Sequence, residues 1–227
     1  MLVKNWLKSF IRPSVVDIEG MKIKIPLIAS DLIRGAIFNG SYEAPELELV
    51  KNKLSQDDIV MEVGTGLGLL STYCAKQIGG DKVFTFEGNP ALEQAIKTNY
   101  ALNQVEPKLE ISLVGEHPGF STFYVCKNFW SSSIIDRAGG AKPITVPVVS
   151  FNEKVRKINP TFLLLDIEGG EFDLVKYADF HNIRKLMIEL HSWILMSQQV
   201  QFVRDTIAKA DFYLVEGEDR AELYFER

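Results

Sequence analysis

Cysteine, histidine and long apolar runs are all scarce in this sequence. Only Cys74 and Cys126 occur, far apart and in no metal-like spacing. That excludes a disulfide framework and a thiolate metal site, and leaves two free thiols in a reducing, cytoplasmic setting as the expectation. No apolar run approaches the ~18 residues needed to cross a bilayer. Nor is there an excess of positive charge. The net charge of −5 gives the chain no general attraction to phosphate backbones, so nucleic acid is not an expected partner. Internal repeats and low-complexity tracts are missing as well. The 227 residues, 46% hydrophobic and 24% charged, suit one α/β domain with a small N-terminal addition.

That addition begins with Leu2, Val3, Trp6, Leu7, Phe10 and Ile11 set among Lys4, Lys8 and Arg12. It lacks the long apolar core and the small-residue cleavage site of a signal peptide. An amphipathic helix is predicted instead, packed on its own domain or on a second copy of the chain, with a membrane surface as the alternative. Pro13 ends it. Partial alternation from Val15 to Pro26 predicts a small hairpin around Glu19-Gly20, and Asp31 to Phe38 a short helix capped by Ser30 or Asp31. Residues 1–41 are taken as this appendage and 42–227 as the main domain.

From Ile59 onward, strands and helices alternate. Strands are predicted at Ile59–Val63, Val83–Phe86, Glu110–Val114, Phe162–Leu165 and Lys185–Ile188, with helices after most of them. Shorter β segments are expected at Ser121–Cys126 and Ile144–Val149, with a polar loop from Asn128 to Lys142 between them. The last two strands, Phe212–Glu216 and Leu223–Glu226, are joined too closely to be anything but antiparallel. The pattern is that of a doubly wound, mostly parallel sheet, whose ligands bind beyond the carboxyl ends of its strands.

Those ends hold the chemically active residues. The first strand runs into Gly64-Thr65-Gly66-Leu67-Gly68, a turn that brings backbone close to a ligand and leads into a helix N-terminus. Glu87 follows 21 residues after Gly66 at the end of the second strand, where a carboxylate can accept ribose hydroxyls. Together they point to an adenosine-type ligand. Glu62, just before the loop, would repel a pyrophosphate and suit a cationic sulfonium, which favours S-adenosylmethionine over a dinucleotide. Asp166, Glu168 and Glu171 end the fourth strand. They have the chemistry to bind a cation, orient a hydroxyl or act as a base. Glu189 and His191 end the fifth with one side-chain parity, and His191 is suited to take a proton near neutrality. Tyr42-Glu43, ahead of the first domain helix, reads equally as a lid over the cofactor or as ordinary packing.

With these residues in hand, the chain resembles the FkbM family of S-adenosylmethionine-dependent methyltransferases from about Tyr42 to His191. Val63 to Gly68 is similar to the family's first motif and Glu87-Gly88-Asn89-Pro90 to its second. Gly115-Glu116-His117-Pro118-Gly119 resembles its third-strand segment, Ser132-Ser133 its serine loop, Asp166-Ile167-Glu168-Gly169-Gly170-Glu171 its most diagnostic element, and Glu189-Leu190-His191 its fifth-strand ending. Glu62 stands where many members have Asp, and Leu164 where many have Lys.

The resemblance implies a Rossmann-like class I methyltransferase sheet and methyl transfer to a hydroxyl of a sugar, glycolipid or natural product. Glu62, Gly64, Gly66, Glu87, Asn89, Gly115 and Glu116 would surround the cofactor. Asp166 and His191 are the expected bases, and Glu168 would orient the acceptor. No metal ligand is assigned, although Asp166, Glu189 and His191 together could hold one divalent ion, which gives a metal-assisted alternative. The same residues would also suit a non-catalytic cofactor-binding domain and, more remotely, a dehydrogenase.

Overall fold

The unbroken apolar run at the fourth predicted strand becomes a strand with every residue buried. Phe162 and Leu164 enter one apolar cluster, and Leu163 and Leu165 enter another on the opposite face. A strand covered on both faces has no polar alternation to display. The computed structural model describes residues 14–126, 128–134 and 141–227. The amphipathic N-terminal segment lies outside these, as do residues 135–140 of the expected polar loop.

In chain order, β1 (Val15–Ile18) and β2 (Met21–Lys24) form the hairpin, followed by α1 (Asp31–Asn39) and α2 (Ala44–Lys53). Next come β3 (Val60–Val63), α3 (Leu69–Ile78), β4 (Val83–Glu87), α4 (Glu93–Leu102) and β5 (Lys108–Ile111). Then β6 (Leu113–Gly115), β7 (Gly119–Val125) and β8 (Lys142–Ser150) precede α5 (Phe151–Ile158). The chain finishes with β9 (Phe162–Leu165), α6 (Glu171–Val175), β10 (Lys185–Glu189), α7 (Ser197–Lys209), β11 (Tyr213–Glu216) and β12 (Glu222–Glu226).

The main sheet has seven strands in the order β11-β12-β10-β9-β3-β4-β5. Pairs from β10 to β5 are parallel, and β12 runs antiparallel to both β10 and β11. Chain order reverses between β3 and β9, so the crevice of the switch point opens between their carboxyl ends. One apolar cluster joins the hairpin and α1 to α4 on one face, and the other covers the opposite face beneath α5 to α7.

One predicted element divides. The third strand breaks at Ser112, where the chain leaves the main sheet. Beyond it β6 pairs with β8 and β8 with β7, giving a separate three-stranded sheet. The hairpin is tied to the body by two asparagines one turn apart, Asn99 on α4 and Asn103 at its C-cap. Lys24 N donates to Asn99 Oδ1 at 2.8 Å and Lys22 N to Asn103 Oδ1 at 2.9 Å. Asn99 Nδ2 donates in turn to the carbonyl of Leu67 at 2.8 Å, so the hairpin reaches the glycine turn through a single side chain. Residues 14–41 therefore share the core of the domain they precede.

Candidate active site

Two of the glycines in the turn after β3 are required by what lies against them. Gly64 has φ +91°, and a Cβ there would fall 1.7 Å from the carbonyl oxygen of Asp166. The backbones of the two switch-point strands thus touch. Gly66 has φ +55°, and its Cβ would meet Tyr42 Oη at 2.6 Å and Glu43 Oε1 at 2.8 Å. Both conformations are strained for a residue with a side chain. Leu67 N donates to Tyr42 Oη at 3.1 Å, which fixes the turn from the other side.

Glu87 braces the same turn. Its Oε2 accepts from Thr65 N at 3.1 Å and Gly66 N at 3.0 Å, and its Oε1 accepts from Asn89 N at 2.7 Å. Burial raises its pKa, opposed by these amide donors. Gly64, Gly66, Glu87 and Gly115 all line one cavity of about 650 Å³, within the range of small-molecule sites.

That cavity is acidic. Glu43, Glu46, Glu87, Asp166, Glu168, Asp173 and Glu189 line it, and no Lys, Arg or His does among the described residues. Burial raises the pKa of Asp166, assisted by the charge of Glu189 and opposed by His191. Burial likewise raises Glu43, and carries Glu46 up to about 7. Raised carboxyl pKa values gathered in a cleft are a mark of a functional site.

Behind this acidic wall sits His191, fully buried. Its Nδ1 bonds Glu171 Oε1 at 2.7 Å. Its Nε2 faces Glu168 Oε2 at 3.5 Å, Asp166 Oδ1 at 3.6 Å and Glu189 Oε2 at 3.7 Å. Burial alone would lower the imidazole's pKa. Hydrogen bonds with Glu168 and Glu171 and the charges of Glu171 and Asp166 outweigh it and raise the pKa to about 11. Glu171 Oε1 also accepts from Gly169 N at 3.0 Å, closing the strand-end loop onto the ring. Asp166, Glu189 and His191 have ligand atoms within 4.8 Å of one another.

Four of the expected residues do not line the cavity. His191 is behind it, where the neighbouring carboxyl groups favour the protonated ring. Glu62 does not line the cavity. The pleat of β3 turns it inward beside Ser71 and Thr65, and burial, partly offset by their hydrogen bonds, lifts its pKa to about 8. Asn89 is also buried away from the cavity, where its Oδ1 caps the following turn through Ala91 N at 3.1 Å. Glu116 lies past the end of β6 in solvent, 3.7 Å from His117, because the chain has already left the main sheet. Gly115, Leu113 and Val114 occupy the wall expected for it.

Glu46 is absent from the expected set, and Glu43 enters it only as a lid residue. Their signal is faint: two acids three residues apart, at the start of a helix whose Leu47 and Val50 face inward. Across the cavity, the segment after β7 closes the wall with Phe129, Ser131, Ser132 and Ile134. Ser133 Oγ donates to the Glu168 carbonyl at 2.9 Å and ties this segment to the β9 ending.

Compared with known families, residues 58–214 match the methyltransferase FkbM domain. The chain belongs to the FkbM methyltransferase family. The FkbM region takes in the glycine turn, Glu87, the acidic ending of β9 and His191. Among curated proteins, protein arginine N-methyltransferase 6 of Danio rerio is 33% identical over 85 residues, which is 37% of this chain and 23% of that protein. Among solved structures, the Pyrococcus abyssi tRNA (uracil-54, C5)-methyltransferase, in complex with S-adenosyl-L-homocysteine, superposes with a TM-score of 0.52 at 12% identity over 94% of this chain and 43% of that one. The M. jannaschii tRNA m1G37 methyltransferase gives 0.51 at 11% identity over 93% and 56%. The chain thus spans about half the length of these two structures, and the likeness to them is one of fold. The FkbM domain here is carried on a seven-stranded, mostly parallel sheet. Among the described residues no helix is long and apolar enough to cross a membrane.

Proposed function

We propose that this protein transfers a methyl group from S-adenosylmethionine to a hydroxyl oxygen of a neutral or cationic acceptor, such as a sugar, glycolipid or natural product. One observation carries the reading. The glycine turn and the Asp166 carboxylate open onto the same cavity at the switch point, with their backbones in contact. Donor and acceptor sites placed this closely support in-line displacement, in which alignment supplies much of the acceleration.

In this reading Gly64 and Gly66 let the methionine part of the donor lie against backbone. Glu87, whose oxygens keep lone pairs beside the three amides, takes the ribose hydroxyls. Asp166 accepts the acceptor's proton as the oxygen attacks the methyl carbon, and the sulfonium leaves as a neutral thioether. A carboxylate with a raised pKa is a stronger base than one in solvent. Arrival of the cationic donor lowers that pKa and ionises the group when it is needed. Glu168 and Glu189 orient the acceptor. His191 holds the three carboxylates together and takes no proton itself.

The tRNA specificities of the structural neighbours do not suit this cavity. Its carboxylate wall, with no cationic side chain, repels a polyanion. Isothermal titration with S-adenosylhomocysteine tests the donor, and methyl transfer over a panel of hydroxyl acceptors and tRNA tests the acceptor. Turnover on tRNA but on no hydroxyl compound would overturn the acceptor class. Failure of S-adenosylhomocysteine to bind would overturn the donor.

A further inference from the structure

Glu189 and Glu222 stand directly opposite each other in the antiparallel β10–β12 register. Like charges in that position repel across a sheet. Glu46, from α2, points into the same corner, and the three side chains offer oxygens within 4.8 Å of one another. Neither Glu46 nor Glu222 has a Lys or Arg partner among the described residues. Lys53, which is near, is committed to Glu216, and Lys185 pairs with Asp58 at 2.7 Å. Glu46 is only 7% exposed, and its Oε2 has no hydrogen-bond partner. A buried carboxylate oxygen with no donor is costly. An arrangement of this kind persists where something outside the chain completes it.

We propose that Glu46, Glu189 and Glu222 bind one divalent cation of the hard, oxygen-seeking class, such as Mg²⁺, Mn²⁺ or Ca²⁺, at the edge of the acceptor end of the cavity. Carboxylate oxygens from three separate elements are the ligands such ions prefer, and the remaining positions go to water or to oxygens of the acceptor. A divalent ion cancels more of the repulsion than an ammonium group does. This site shares only Glu189 with the Asp166–Glu189–His191 group and needs no imidazole.

The test is calorimetric titration of Mn²⁺ into the full chain, repeated on Glu46→Gln, Glu222→Gln and Asp166→Asn, with S-adenosylhomocysteine titrated into all four and thermal melts of the wild type run with Mn²⁺ and with spermidine. The wild type is expected to bind one Mn²⁺. Each glutamine variant is expected to lose at least about tenfold in Mn²⁺ affinity while Glu222→Gln keeps its S-adenosylhomocysteine binding, which separates loss of the ion from loss of the fold. Three outcomes would overturn the proposal. The wild type takes up no Mn²⁺. Affinity is unchanged in both glutamine variants and falls only in Asp166→Asn. Thermal stability rises with spermidine but not with Mn²⁺, which makes the occupant an organic cation. The ion is read independently of the donor, so either claim can fail without the other.

Discussion

In a Glu62→Gln variant the protein loses a buried acid but keeps the shape of the side chain beside Ser71 and Thr65. Burial holds the wild-type carboxyl near a pKa of about 8 against an ordinary 4.5. Between those values the folded chain keeps a proton that the unfolded chain has released. Stability therefore falls as pH rises, by about 1.4 kcal/mol per pH unit for this one group. Over the whole interval the loss amounts to about 5 kcal/mol, an upper bound because the unfolded chain is not fully solvated. Glutamine has no proton to release. Urea unfolding at about pH 5, 6, 7 and 8 should show the two proteins nearly equal at the acid end, with the variant pulling ahead toward the alkaline end. Parallel pH profiles would refute the claim that Glu62 is folded as a neutral acid.

Asp166→Asn should lower turnover by roughly 10²–10⁴-fold, the worth of a positioned base, with S-adenosylhomocysteine affinity little changed in calorimetry. His191→Gln removes the cation that faces four carboxylates, a loss of about 3–5 kcal/mol for a broken buried pair. The folded pKa of His191, about 11, lies above its ordinary 6.5. Its contribution is therefore full below the lower value and drains away as pH rises toward the upper one, so the gap between variant and wild type in chemical unfolding should narrow with rising pH. Gly64→Ala drives a Cβ to 1.7 Å from the Asp166 carbonyl. It should unfold at markedly lower denaturant and lose S-adenosylhomocysteine binding altogether. Tyr42→Phe leaves Leu67 N without its acceptor, and should cost about 1 kcal/mol in urea unfolding along with a measurable loss of cofactor affinity.

Local pattern made the alternation of elements legible, because each element carries its own period and its own stops. The hairpin at Glu19-Gly20, Ser30 as a helix cap, the Leu69–Ile78 helix and the closing antiparallel pair all follow from neighbouring residues. The acids at the strand ends were legible for the same reason. What could not be read is where a side chain points when both sides of its strand are covered. Glu62 is one example, since apolar neighbours on both faces give no sign of which way the acid turns. The break at Ser112 is another, because the strand changes partner to meet β8 some thirty residues later, and no local signal marks a partner. His191 reads as a base in isolation. Only the convergence of Glu171, Glu168, Asp166 and Glu189 turns it into a fixed cation. Glu43 and Glu46 were obscured by the ordinary look of a helix start.

The departure of the chain from the main sheet at Ser112 also divides the protein by the work each part does. Gly64, Gly66 and Glu87, which are proposed to grip the donor, belong to the seven-stranded sheet and its turns. Ser121, Phe123, Val148, Phe129, Ser131, Ser132 and Ile134 belong to the smaller sheet and its connecting segment, yet they wall the same cavity. A lineage can therefore lengthen, shorten or replace the β7–β8 excursion and recognise a new acceptor while inheriting the donor half intact.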